Sequence, residues 1–432
     1  MMHVTERDAA QTIDVGDACL MVDHLFRSRA GQMVAYLTRL LGPEHLDLAE
    51  EVTQEALLKA LQHWPYSGIP QNPAGWLFRV ARNAALDAVR HRTLAGEKST
   101  ELAAEHFRNA DASSANDELE DQLRDDELRM VLMCCHPTLP QDARVALSLK
   151  TVGGFSVREI ARAFLADEAT IAQRLVRAKR QIRESGIRFE LPAGEELVAR
   201  MDSALEVVYL MFNEGYAAQS GEDLVRQDLC GEALRLGRLL ATSSVGTPQA
   251  HALVALMAFQ AARLPARVDA TGELVLLEDQ DRSRWDRKLI ALGFDHFTHC
   301  AEGTELTSYH VQAAIAATHA RAQDGRATDW KLILELYDQL IELSPSPVVE
   351  LNRVVVVAKV HGPEAALAAL RPLDGNRSLR NYYLLPAVQG QLLLDIGDKP
   401  SASEYFRQAL ERPCSEPEQR FLQRKLAECS RT

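Results

Sequence analysis

The chain has 432 residues, 47% hydrophobic and 6% aromatic, with a formal net charge of −13. That length suits roughly two to four domains with ordinary packed cores. Seven cysteines are too few for a disulfide scaffold. The first ten residues carry Glu6 and Asp8 in place of a signal-peptide core, and the longest apolar stretch, His251 to Leu264, is too short to span a bilayer. A soluble, cytoplasmic, membrane-independent protein is therefore expected.

Frequent Ala, Leu and Arg favour helix, and the charge is unevenly spread. Residues 189–432 hold 25 basic and 34 acidic side chains, and residues 97–127 hold 3 and 11. Residues 128–188 hold 11 basic and 5 acidic, a net of +6. A basic segment inside an acidic protein points to a polyanionic partner for that segment.

In chain order, helices with short breaks are predicted from about residue 18 to 93. Gly42-Pro43 breaks one, and the next fits Asp47 to His63. Its polar side is crowded by Asp47, Glu50, Glu51, Gln54 and Glu55, while Leu48, Val52, Ala56 and Leu57 supply the apolar contacts. An acidic face repels DNA, so it suits a protein partner; alone it would also suit plain solvent.

After a loop at Tyr66–Pro70, Asn72 as N-cap and Pro73 at the first turn open a helix to Arg92. Leu77, Val80, Ala84 and Ala88 are its expected buried side. Trp76, Arg79, Asn83 and Arg90 share a neighbouring side, and Arg82, His91 and Arg92 add positive charge. An aromatic that stacks, an Asn that reads an unpaired base edge and Arg on the backbone suit melted DNA. Trp76 fits a core position equally well.

Residues 97–127 read as an acidic linker with a helical end, and 128–186 as a compact helical unit. Cys134-Cys135-His136 lacks a second ligand pair at zinc-like spacing, so it reads as a buried helix end before Pro137. Ser156-Val157-Arg158-Glu159 is a capping box. Ile160, Ala161 and Phe164 follow as an apolar face. Leu165-Ala166-Asp167 makes a turn, with Asp167 placed to cap the second helix.

That second helix, about Glu168 to Arg183, carries Ile171, Leu175, Ala178 and Ile182 as one stripe. Thr170, Gln173, Arg174, Arg177 and Arg180 fall largely on the other side. A short helix, a tight turn and a basic second helix are what major-groove reading requires, with Arg and Gln able to bond base edges.

From 187 onward the pattern is antiparallel helix pairs. Tyr337 and Phe406 lie 69 residues apart, and Gly362 and Gly397 lie 35 apart. A period near 34, with Gly at the inter-helix turn, is tetratricopeptide-like and is clearest at 329–432. Asn213, Glu214, Tyr216 and His251 show no nucleophile–base spacing, phosphate loop or metal motif, so no enzyme, cofactor or metal is expected.

In combination, DLAEEVTQEALLKAL, NPAGWLFRVARNAALDAVR, a linker and a helix-turn-helix resemble the extracytoplasmic-function sigma factors over about 20–186. The resemblance implies an all-α chain in four parts. These are a region 2 helical domain (1–96), a flexible acidic linker (97–127), a region 4 helix-turn-helix domain (128–186) and a helical-repeat extension (187–432).

It also implies partners and roles. Asp47, Glu51, Gln54 and Glu55 would meet the β′ clamp helices of core RNA polymerase, with region 4 near the β flap. Trp76, Arg79, Arg82, Asn83 and Arg90 would open and read the −10 element, Asn83 lining the pocket for a flipped base. Thr170, Gln173, Arg174, Arg177 and Arg180 would read the −35 element. Ala172 and Ala169 stand where many relatives have Arg and Gly, so promoter preference does not transfer.

The extension resembles a subgroup with tetratricopeptide-like C-termini. Tyr209 to Tyr216, including Asn213 and Glu214, looks like a hallmark, as does Asp374-Gly375-Asn376. The implied role is regulation by the fused domain through a protein or peptide partner. A stand-alone DNA-binding regulator would explain the helix-turn-helix but not 47–92. A repeat scaffold with an incidental basic helix would explain only the extension.

Overall fold

The computed structural model describes residues 29–94, 116–164, 166–216 and 227–430. These residues are helical and form no sheet; one isolated bridge pairs Val268 with Leu274. The chain divides into two compact units, Met1–Val207 and Val208–Thr432.

In the first unit, helix α1 (29–41) buries Met33, Val34, Leu37 and Leu40. It stops at Gly42, whose φ of 92° only glycine adopts freely. After a 3₁₀ turn at Pro43–His45, α2 (Leu46–Ser67) runs past the expected end at His63. Buried Trp64 holds that last turn, and the Gly68 amide donates to the Trp64 carbonyl at 3.0 Å.

Helix α3 (Pro73–Leu94) starts as expected, the Asn72 side chain accepting from the Gly75 amide at 2.8 Å. Its buried row is Leu77, Ala81, Ala85 and Val89, whereas Val80, Ala84 and Ala88 are only half-buried. The packed face is thus rotated from the expected one. With small alanines on several sides, packing against α2 and α1, where Phe78 meets the Tyr36 ring edge-on at 5.8 Å, decides which row goes inward.

Of the acidic segment 97–127, residues 97–115 lie outside the described residues. The rest begins α4 (Asn116–Cys134), which runs unbroken into the next unit of sequence. Cys134 and Cys135 are fully buried at its end, as a packed helix terminus requires. Helices α5 (Gln141–Thr151), α6 (Val157–Ala163) and α7 (Glu168–Glu184) then pack on one another.

Helix α8 (Gly194–Tyr216) belongs to both units. Its first half covers the α4–α5 junction: Ser203 Oγ donates to the Cys135 carbonyl, and Gln141 Nε2 donates to Glu206 Oε1 at 2.7 Å. Arg144 reaches Ser203 and pairs with Glu206 at 3.3 Å, while Met201, Ala204 and Leu205 are buried. The first unit therefore closes at Val207, inside a helix, beyond the sequence boundary at 186.

The second unit begins with the end of α8 and continues with α9 (Gln227–Ala241) and α10 (Pro248–Ala262). Nearly every side of α10 is buried, which accounts for its long apolar run from Ala252 to Phe259. Helices α11 (Arg287–Cys300) and α12 (Ser308–Arg321) pack on it together with α9, and α13 (Trp330–Leu343) packs on α12 and leads outward. Two helix–Gly–helix hairpins follow. Gly362 joins α14 (Pro347–His361) to α15 (Pro363–Leu370), and Gly397 joins α16 (Leu384–Asp395) to α17 (Lys399–Leu410), each with φ of 89°. Phe406 is fully buried, its ring against Gly390, where a Cβ would come within 3.1 Å. Helix α18 (Glu416–Cys429) closes the array.

Candidate nucleic-acid interface

The helix-turn-helix is built from local chemistry. Ser156 Oγ accepts from the Glu159 amide at 3.1 Å, and Glu159 accepts from the Ser156 amide at 2.8 Å, so the capping box forms. Asp167 precedes α7, but its side chain makes no capping hydrogen bond. Ile171, Leu175, Ala178 and Ile182 are buried as one stripe. The opposite face exposes Thr170, Gln173, Arg177 and Arg180, with Arg180 loosely paired to Glu184 at 3.5 Å.

Arg174 differs from these. It is half-buried, and its guanidinium pairs with Asp142 on α5 at 2.9 Å. Val176, 67% exposed on the open face, escaped the sequence reading, which sought only polar readers. An exposed branched methyl pair is the kind of group that meets a thymine methyl in a major groove.

Lys179 on α7 was also missed. Its ammonium lies 2.8 Å from Asp47 and 2.7 Å from Glu50, both on α2. Burial alone would lower its pKa, but the two carboxylates outweigh burial and hold it above the usual lysine value. Glu50 is turned inward and also accepts from Thr151 Oγ1 at 3.0 Å. No periodicity signals this pairing, because its partners lie more than a hundred residues apart.

On α2, Asp47 is therefore engaged, while Glu51, Gln54 and Glu55 stay exposed and Glu55 pairs with Lys59 at 2.7 Å. Beside them, Leu58 (57%), Leu61 (38%) and Tyr66 (91%) are exposed. Apolar side chains next to an acidic row make a protein-docking surface better than a nucleic-acid one.

On α3, Arg79, Asn83, Arg90 and His91 are exposed. Arg82 is half-buried, and Arg90 pairs with Asp87 at 3.4 Å. Trp76 is half-buried, its ring edge-on to Trp64 at 5.5 Å. It packs α3 against α2 and is only partly covered.

In the extension, the Tyr209–Tyr216 stretch ends α8. Tyr209 donates to Gln312 at 2.9 Å and is hydrogen-bonded to Asn213. Glu214 is half-buried in the same stretch. The Tyr216 ring stacks on Phe212, with the Arg267 guanidinium 4.2 Å above it, and Arg267 donates to the Tyr216 carbonyl. These residues lock the helix end rather than form a reactive cluster. His251 packs against the His296 ring at 4.8 Å. No cluster of three or more potential metal ligands occurs among the described residues. At the second hallmark, Asp374 is exposed, Gly375 has φ of 78° and Asn376 caps the next turn by accepting from the Ser378 amide at 2.9 Å.

Three family models match separate stretches: Sigma-70 region 2 at 25–94, Sigma-70 region 4 at 129–182, and a family of unknown function, DUF6596, at 200–301. The uncharacterized protein R00370 of Rhizobium meliloti is 43% identical over 371 residues, covering 85% of this chain and 86% of that one. A probable ECF RNA polymerase sigma factor, SigI of Mycobacterium tuberculosis, is 28% identical over 198 residues, covering 43% of this chain and 67% of SigI. The ECF RNA polymerase sigma factor SigM of Bacillus subtilis is 27% identical over 165 residues, covering 38% of this chain and 94% of SigM. No solved structure matches the chain. No helix among the described residues is long and apolar enough to cross a membrane.

Proposed function

The chain belongs to the extracytoplasmic-function RNA polymerase sigma factors, which direct transcription initiation, and we propose how its surfaces divide that work. Glu51, Gln54 and Glu55, with Asp47 at their edge and Leu58 and Leu61 beside them, form the face that meets the β′ clamp of core polymerase. Asn83, Trp76, Arg79, Arg82 and Arg90 handle the melted −10 strand. Thr170, Gln173, Arg177 and Arg180, with Arg174 and Val176 flanking, read the −35 duplex near the β flap. The protein works in the cytoplasm.

One observation carries this division. The buried stripe of α7 leaves a largely polar and basic face open around Val176, whereas the open face of α2 is acidic and apolar. Opposite surface chemistry implies different partners: phosphate and base edges for one, protein for the other.

The extension, residues 208–432, is proposed as a tetratricopeptide-like module required for activity, with Asp374 on its partner-facing surface. Stacked helix pairs present grooves to protein segments. Two measurements test the division. A column of core polymerase should retain the chain, and a promoter duplex should shift strongly only when core is present. A strong, specific shift by the chain alone, with no retention by core, would favour a stand-alone regulator.

A further inference from the structure

Helix α13 buries Ile333 and Leu340 against Val311 and Ile315 of α12 and Val356 of α14. Beside that row, Leu332, Leu336, Gln339 and Leu343 lie at i, i+4, i+7 and i+11 and form a second stripe. Leu332 and Leu343, at its ends, are 40% and 44% exposed. Leu336 and Gln339, between them, line a cavity of about 370 Å³ whose wall also includes Phe297 and Cys300 of α11 and His310 and Ala314 of α12. The loop 303–306 forms its lip, with Leu306 55% exposed. The volume falls within the roughly 300–1,000 Å³ of pockets that take organic groups.

The wall carries one polar group, and the rim is acidic. His310 is buried, and its Nδ1 accepts from the Thr307 amide at 3.1 Å, so the ring proton sits on Nε2. Burial lowers its pKa and keeps the ring neutral. Nε2 completes no hydrogen bond, although the Cys300 carbonyl favours a proton there. Glu302 and Glu305 stand at the lip, and Glu335 and Glu342 flank the α13 stripe. These carboxylates are exposed and make no ion pair among the described residues, with Lys331 standing against them at the start of α13.

We infer that this groove binds a basic amphipathic helix of a partner protein, which lays an apolar face along the α13 stripe and seats one large apolar side chain in the cavity. The inference rests on the reading of the extension as a protein-binding module and names a second surface of it besides Asp374. Length favours a helix as the occupant. The stripe from Leu332 to Leu343 spans about 16 Å at ~1.5 Å per residue, which three turns of a facing helix cover. Its exposed leucines continue the apolar surface beyond the cavity, so the site is longer than a small molecule needs. Charge selects the flanks. Unpaired carboxylates attract Lys and Arg and repel both nucleic acid and anionic lipid. The backbone of a helical partner is satisfied within its own helix, so His310 Nε2–H is left to donate to an Asn, Gln or Ser oxygen beside the anchor.

The test uses the full chain and labelled peptides of about 16 residues, read by anisotropy. The first peptide has Leu at i, i+4, i+7 and i+11 with Lys on both flanks. The second scrambles that composition, and the third replaces each Lys with Glu. The first should bind at least about tenfold more tightly than the others and weaken as salt is added. Ala314→Leu, which fills the cavity, should weaken it roughly tenfold, the scale of losing one buried anchor, without changing its salt dependence. Leu306→Lys with Leu343→Lys should do the same by altering exposed side chains alone, and so stands in if Ala314→Leu fails to fold. Glu305→Lys with Glu335→Lys should weaken the basic peptide and strengthen the acidic one.

Equal binding of the ordered and scrambled peptides overturns the inference. So does binding that both leucine-to-lysine and cavity-filling variants leave unchanged with wild-type circular dichroism. If no peptide binds, while toluene raises the melting temperature and Ala314→Leu abolishes that rise, the cavity takes small molecules and the inference falls. Groove-dependent peptide binding with full transcription from residues 1–207 supports the groove and sinks the required-module reading. Transcription lost in 1–207 with no groove-dependent binding does the reverse.

Discussion

Arg174 and Asp142 form an ion pair at 2.9 Å across the helix-turn-helix, so the recognition helix carries two kinds of arginine. Arg177 is exposed and makes no ion pair among the described residues, while Arg174 is held against α5. In holoenzyme, Arg177→Ala should weaken −35 binding by about 1–3 kcal/mol at one base position if it bonds a base edge. If it anchors phosphate, the loss will be even across sequences and the salt slope will fall by about one. Arg174→Ala should cost less, and Asp142→Asn should change −35 preference without changing the salt slope. Anisotropy titrations over several salt concentrations measure all three.

Asn83 is exposed on α3, two helical turns beyond Trp76. Asn83→Ala should impair −10 melting while leaving −35 duplex binding near wild type, because base-edge bonds specify and phosphate contacts position. Permanganate footprints give the answer. Wild-type footprints and wild-type −10 preference would make Asn83 a surface residue only.

The acidic face of α2 predicts a charge effect. Glu51→Lys with Gln54→Lys should weaken assembly with core polymerase, most at low salt, through repulsion by a basic partner surface. Both side chains are exposed, so thermal stability should move by less than about 0.5 kcal/mol. Unchanged retention by core, in a folded variant, would remove this face from the interface.

The first half of α8 sets where the chain can be cut. A fragment ending at residue 190 strips buried Met201 and Leu205 from the α4–α5 junction and bares the Cys135 carbonyl and Arg144. Losing either apolar side chain from a core costs about 2–5 kcal/mol. The 1–190 fragment should therefore melt well below 1–207. Calorimetry of both decides this, and only 1–207 is a fair truncation for asking what the extension does. With the extension a required module, 1–207 should stay folded yet lose transcription; equal or higher activity would favour autoinhibition.

The second hallmark separates structure from partner contact. Gly375→Ala should destabilise the helical extension by about 1 kcal/mol because of its positive φ, and Asn376→Ala should cost about as much through the lost cap. Asp374 is exposed, so Asp374→Ala should leave melting unchanged and lower transcription. Unchanged transcription would make the triplet a turn device.

Local features were legible in the sequence because their causes lie within a few residues. The Ser156–Glu159 capping box, the Asn72 cap and the Ile171–Ile182 stripe each follow from spacing alone. The buried row of α3 is legible only at Leu77, since alanines at 81, 84, 85 and 88 let either row pack and the neighbouring α1 and α2 decide. Lys179 with Asp47, Arg174 with Asp142, and α8 over Cys135 were not legible, because each joins residues far apart in the chain.

The central claim is that this chain confers promoter-specific initiation. Core polymerase is incubated with fragments of the source genome, with and without the full chain, and the 5′ ends of the transcripts are sequenced. The account predicts chain-dependent starts that share a −10 and a −35 sequence and vanish with Asn83→Ala. Transcripts no different from those of core polymerase alone would contradict it.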